Sequence, residues 1–81
     1  LDKTGTLTTT SRHAVEYEGD PLSDSDLIAL ASLANGSRHP LSRALIQHLG
    51  QHRKPVDQFR ERIGKGLEGW IYGTRYALGS Q

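Results

Sequence analysis

Three observations on these 81 residues predict an α+β fold, an antiparallel β-sheet with a two-helix hairpin on one face. Two apolar stretches with helical spacing and capping residues stand side by side in the middle of the chain. Segments of strand character flank them on both sides, and a glycine-led turn joins the last two strands. Strand, helix pair and then a meander is the order in which helices collect on one face of an antiparallel sheet.

The elements follow in chain order. The opening, Leu1-Asp2-Lys3-Thr4-Gly5-Thr6-Leu7-Thr8, has the threonines of a strand with Gly5 as a turn. It equally suits the loop of an enzyme whose carboxylate attacks a phosphoryl group. Residues 14–18 alternate as a short strand, and Gly19-Asp20-Pro21 turns the chain. Ser23 with Asp26 three residues on forms a capping-box start. Leu27, Ile28, Leu30, Ala31, Leu33 and Ala34 then make a helix that is apolar around much of its circumference, so it packs on more than one side. Asn35-Gly36 closes it with residues that tolerate a left-handed cap.

A second helix starts at Pro40, a first-turn position where the missing N–H costs nothing, and carries Leu41, Ala44, Leu45, His48 and Leu49 on one face. It ends near Gly50 to His52. Residues 56–62, Leu67 to Tyr72 and Arg75 to Leu78 read as strands. Gly73-Thr74 is a two-residue loop with glycine first, as a type II′ turn prefers.

Size and charge narrow the function. One domain of this length buries about 60–65% of its unfolded surface. The absence of cysteine rules out disulfides and thiolate metal sites. No apolar run approaches the ~20 residues of a membrane span. A start at Leu1 rather than Met suggests a fragment, so targeting cannot be read. The net charge of +1 hides an asymmetry: residues 14–35 carry five acids and no Lys or Arg, whereas residues 38–65 carry seven bases against Asp57 and Glu61. That polarity suits an anionic ligand near the second half, or simply two solvated faces of opposite sign. Five aromatics, none regularly interleaved with the bases, argue against nucleic acid.

Single motifs are weak by themselves. Gly64-Lys65-Gly66 with Gly69 is followed by a strand, whereas a dinucleotide fingerprint needs a helix there. Alone it reads as a tight turn, although two such glycines allow a ligand close to the backbone and Lys65 adds charge. His39, at the mouth of a helix, reads alone as a capping or partly buried histidine. His48 and His52 are spaced to share a helix face, but with no third ligand they are not a closed metal site.

The order of the motifs says more. "DKTGTLT" at Asp2 to Thr8 matches the phosphorylation signature of P-type ATPases over its seven residues. "SRHPLSRAL" at Ser37 to Leu45, "GKGLEG" at Gly64 to Gly69 and "LGS" at Leu78 to Ser80 resemble, in turn, the Ser-Glu-His-Pro-Leu, Gly-x-Gly and Gly-Asn motifs of the heavy-metal branch. The resemblance covers essentially the whole chain. It is nearest to copper exporters that serve the assembly of respiratory oxidases.

The resemblance implies that Asp2 is the nucleophile that takes the γ-phosphoryl group of ATP. It implies that Lys3 neutralises charge on that group, that Asp2 and the Thr4 carbonyl help hold Mg²⁺, and that Thr6 contacts the phosphoryl. It places His39 and Arg38 beside the ATP, with Gly64, Gly66, Gly79 and Ser80 lining the same cleft. Such chemistry rests on positioning and charge neutralisation.

The implied organisation is a phosphorylation-loop segment at residues 1–12 and a nucleotide-binding domain over residues 13–81, incomplete at its C-terminus if cut short. The implied whole is a membrane protein exporting copper, or another metal such as zinc, with this domain in the cytoplasm. The isolated chain is expected to be a monomer that binds ATP without turning it over. Its partners would be ATP and the remainder of the ATPase. A soluble phosphatase or phosphotransferase with an aspartate nucleophile is the first rival and a plain interaction module the second. Three positions depart from the family: Arg38 in place of a glutamate that accepts from the adenine amine, Ser80 in place of asparagine, and Thr10-Ser11-Arg12 in place of Gly-Lys-Pro.

Overall fold

The computed structural model describes residues 2–9, 14–62 and 64–80. Among them the elements run β1 (Asp2–Thr9), β2 (Val15–Gly19), α1 (Asp24–Asn35), α2 (Pro40–His48), β3 (Asp57–Arg62), β4 (Gly66–Ile71) and β5 (Thr74–Ser80). The 12/13 boundary and the Thr10-Ser11-Arg12 departure lie outside the described residues.

Alternation along the strands sorts their side chains into two faces. Leu7 of β1, Leu67 and Ile71 of β4, and Tyr76 and Leu78 of β5 share a core with Ala29, Leu30 and Leu33 of α1 and Leu41 of α2. Leu33 is wholly buried, and covering a leucine in this way is worth about 1.5–3 kcal/mol. The intervening residues, among them Asp2, Thr4, Thr6, Glu68, Arg75 and Ala77, belong to the opposite face, which neither helix covers.

The strand order is β2-β1-β5-β4-β3. Every neighbouring pair is antiparallel except β1 and β5, which run parallel from Asp2 opposite Arg75 to Leu7 opposite Ser80. The fold is α+β as expected, but the sheet is mixed. Without β1, β5 would be an edge with a row of open amides and carbonyls; β1 pairs with that row and turns Leu7 into the core.

The expected caps form, with one change. Ser23 Oγ accepts from the Asp26 amide at 3.1 Å, and the Asp26 carboxylate accepts from the Ser23 amide at 3.0 Å. At the other end Gly36 is right-handed, with φ −80°. The last carbonyls of α1 are reached from three residues on, by Gly36 N–H to Leu33 at 3.2 Å and Ser37 N–H to Ala34 at 3.0 Å, so the helix tightens instead of reversing hand. Residues 29–34 of α1 are all buried, in keeping with a helix packed on several sides.

Helix α2 stops at His48, so His52 does not share its face. Among the described residues no three His, Asp or Glu groups stand where they could hold a metal. The β4–β5 turn is centred one residue earlier than expected, on Tyr72 (φ 48°) and Gly73 (φ 81°), between Ile71 and Thr74. Positive φ at both central residues is the type I′ pattern, whose twist matches the strands it joins. In β3 the register slips between Asp57 and Arg60 at Gln58 (φ 55°), and this bulge lets both Val56 and Phe59 pack against the core.

Candidate functional site

At the end of the sheet where β5 finishes, the loop between α1 and α2 faces the β3–β4 turn across a cleft of about 400 Å³. Its floor is apolar and buried: Leu7, Leu41, Leu67 and Leu78. Arg38, His39, Glu61 and Arg62 supply its polar groups.

Ser37 fastens the loop. It is 1% exposed, its hydroxyl donates to Glu61 Oε2, and it accepts from the His39 amide at 3.0 Å. This bridge ties the loop to β3 and sets Arg38 and His39 at the cleft. His39 is also the N-cap of α2, its Nδ1 accepting from the Leu41 amide at 3.1 Å. With Nδ1 an acceptor, the neutral ring carries its proton on Nε2, which remains as a donor.

The glycines have separate causes. Gly66 has φ 113°, and a Cβ there would stand 2.0 Å from the Leu78 carbonyl oxygen, so pairing with β5 already demands glycine. Gly64, with φ 78°, meets nothing within 4 Å and is set by the left-handed turn alone.

Five of the six residues expected at the nucleotide, Arg38, His39, Gly64, Gly66 and Gly79, line this one cleft although they are spread over residues 38–79. Ser80 follows on β5, paired with Leu7. Glu61, Ser42 and Leu41 were not singled out as site residues. Alternation within Phe59-Arg60-Glu61-Arg62 is the signal that sets Glu61 apart from its arginine neighbours, but the Ser37 partner has no signature in sequence.

Asp2, Lys3 and Thr4 of the phosphorylation signature sit elsewhere. Asp2 lies on the helix-free face, its side chain 58% exposed and 3.6 Å from the Arg75 guanidinium. Lys3 points to the other face and donates to Asp26 at 3.1 Å and to the Pro21 carbonyl at 3.2 Å. The Thr4 carbonyl accepts from the Asp20 amide at 3.0 Å and from the Tyr17 hydroxyl at 3.1 Å. Of the signature, Leu7 enters the cleft floor and Thr6 neighbours it as the β1 partner of Gly79. Asp2 is four residues back along that strand pair, about 13 Å away.

One carboxylate, Asp26, joins β1, β5 and α1. It accepts from the Ser23 amide, from Tyr76 Oη at 2.7 Å and from Lys3 Nζ at 3.1 Å. These donors, the Ser23 amide foremost, hold it well below the usual carboxylate range despite its burial. Burial, and then the hydrogen bond to Asp26, push the Tyr76 hydroxyl up to about 12.

A family model described as haloacid dehalogenase-like hydrolase matches residues 1–79. The chain is 36% identical, over 96% of its length, to a copper-exporting P-type ATPase B of Archaeoglobus fulgidus. It is 32% identical over 99% of its length to a cadmium-transporting ATPase of Staphylococcus aureus, and 39% identical over 99% to the nitrogen fixation protein FixI of Rhizobium leguminosarum bv. viciae. It spans only 12%, 12% and 10% of these relatives, respectively. No solved structure matches the chain. The chain belongs to the haloacid dehalogenase-like hydrolases and, within them, is related to the heavy-metal-transporting P-type ATPases.

Proposed function

We propose that the chain is the ATP-binding portion of a heavy-metal P-type ATPase, with the phosphorylation signature in residues 1–12 and the nucleotide-binding domain in residues 13–81. The observation that carries this reading is the convergence of Arg38, His39, Gly64, Gly66 and Gly79 on one cleft with an apolar floor. Apolar walls with a few aimed polar groups are what a purine ring requires. The leucines take the base, Arg38 stacks on it or reaches a phosphate, and His39 Nε2–H donates to the ligand.

In the whole protein Asp2 is the phosphoryl acceptor, with Lys3 and Thr6 beside the transferring group. That centre is not assembled among the described residues: Lys3 is held by Asp26, and Asp2 is remote from the cleft. Nor do these residues fit a Mg²⁺ site, because the Thr4 carbonyl is already engaged by Tyr17 and Asp20. ATP is therefore bound and not turned over.

The relatives' names favour copper as the transported ion, with cadmium or zinc as the alternative. No described helix is long and apolar enough to cross a membrane. In this reading the chain is a cytoplasmic part of a membrane protein, monomeric by itself, whose partner is the remainder of the ATPase.

The test is an NMR titration with ATP. The dissociation constant should fall at about 0.1–10 mM, equivalent to about 3–5 kcal/mol. The amides of His39, Gly64, Gly66 and Gly79 should shift together. Shifts confined to Arg53, Lys54 and the chain ends would reduce the binding to nonspecific attraction and remove the reading.

A further inference from the structure

The cleft does not end at the edge of the sheet. It continues around Gly66 and Gly79 onto the helix-free face, into a second groove of about 350 Å³. The two hollows share Arg62, Gly66, Leu67, Leu78 and Gly79 as walls. The second differs in chemistry, since Arg60, Arg62, Lys65 and Arg75 border it.

The bulge in β3 precedes the stretch where Arg60 stands opposite Glu68 and Arg62 opposite Gly66, so both arginines fall on the helix-free face while Glu61 turns toward the cleft. Glu68 is the one carboxylate bordering the groove, and Arg75 holds it through two nitrogens at 2.8 and 3.1 Å. That hydrogen bond lowers the Glu68 carboxylate from its ordinary range, and Arg60 and Arg62 add to the effect by charge. Among the described residues no carboxylate forms an ion pair with Arg60, Arg62 or Lys65. Three cations outside any such ion pair thus stand beside an apolar cleft.

Building on the reading above, we infer that this groove is the polyphosphate subsite, with Arg60, Arg62 and Lys65 holding the phosphates of a nucleotide whose base lies in the cleft. A ligand that fills both hollows must join a flat apolar group to a polyanion. A nucleoside di- or triphosphate does so, whereas a simple anion leaves the cleft empty. Guanidinium groups suit the task because each offers paired donors to phosphate oxygens.

The experiment titrates adenosine, AMP and ATP into the parent chain and into Arg60→Ala/Lys65→Ala, at low and at physiological salt. Both of these positions border the groove and not the cleft. In the parent, affinity should rise at least tenfold from adenosine to ATP, and most of that gain should vanish at the higher salt. The double variant should bind adenosine within twofold of the parent yet lose about tenfold for ATP. Arg60→Lys, which keeps the charge, should lose less than Arg60→Ala. Equal ATP binding by parent and double variant would place the phosphates elsewhere and overturn the inference while leaving the nucleotide reading intact. Failure of the parent to bind adenosine or ATP would overturn both.

Discussion

Asp26 collects three donors from three parts of the chain, and its loss should be felt in all of them. Asp26→Ala removes a helix cap and leaves the buried Tyr76 hydroxyl without its acceptor, for an expected cost of about 2–4 kcal/mol in urea denaturation. Because the folded carboxylate titrates below its unfolded value of about 3.9, its stabilisation is complete above that pH and is lost as pH falls through the acid range. The urea midpoint should therefore drop below about pH 4, and Asp26→Asn should flatten that drop. Tyr76 has the opposite sign: its raised value favours the fold below about pH 10 and ceases to do so as pH climbs through about 12. Arg38 supports a second prediction. Guanidinium groups only donate, so Arg38 cannot accept from an adenine amine. Discrimination between ATP and GTP by the parent should stay within about tenfold, or ~1.4 kcal/mol, and Arg38→Glu should widen it. Paired titrations decide this, and a strong parental preference for ATP would mean that other groups read the base.

At the scale of elements, the β3–β4 turn and the end of β5 separate packing from binding. Gly66→Ala adds a carbon 2.0 Å from the Leu78 carbonyl at a φ of 113°, and should cost about 2–4 kcal/mol by urea denaturation. Gly64→Ala meets no atom within 4 Å and bears only the left-handed penalty, about 1–2 kcal/mol. Gly79→Ala should behave differently again. Its Cβ would stand 3.8 Å from Thr6 Oγ1, an ordinary contact, so stability should hold or rise by about 0.4–1 kcal/mol. Gly79 borders both hollows, however, and ATP affinity should fall. A Gly79→Ala chain that keeps full affinity would show that the ligand does not pass that wall.

Across the whole molecule, the phosphorylation signature and the cleft are parts of one sheet, yet Asp2 and the cleft do not meet. β1 is hydrogen-bonded on both edges, to β2 and to β5, and Asp2 lies near the end of β5 that carries Arg75. Incubation with ATP and Mg²⁺ should therefore leave the chain without an acid-stable, hydroxylamine-labile phosphoryl group. Stoichiometric labelling of Asp2 would show that the described arrangement opens far enough to bring it to the cleft.

Much of this protein was legible in the residue order because it depends on neighbours. Ser23 with Asp26, Pro40, and the apolar spacing of residues 27–34 and 41–49 place both helices to within a few residues, since caps and helical stripes act over one or two turns. "DKTGTLT", "SRHPLSRAL" and "GKGLEG" carried the family for a related reason, as each is a local stretch whose order is itself the signal. Pairing in space was not legible. Alternation says that a strand has a buried face but not which strand lies beside it, because backbone hydrogen bonds carry no side-chain signature. Only the tertiary structure could set β1 parallel to β5, hand Lys3 to Asp26, reach Glu61 from Ser37 and join the apolar cleft to the basic groove. Each joins residues far apart in the chain, and contacts of that kind are selected by how the whole core packs.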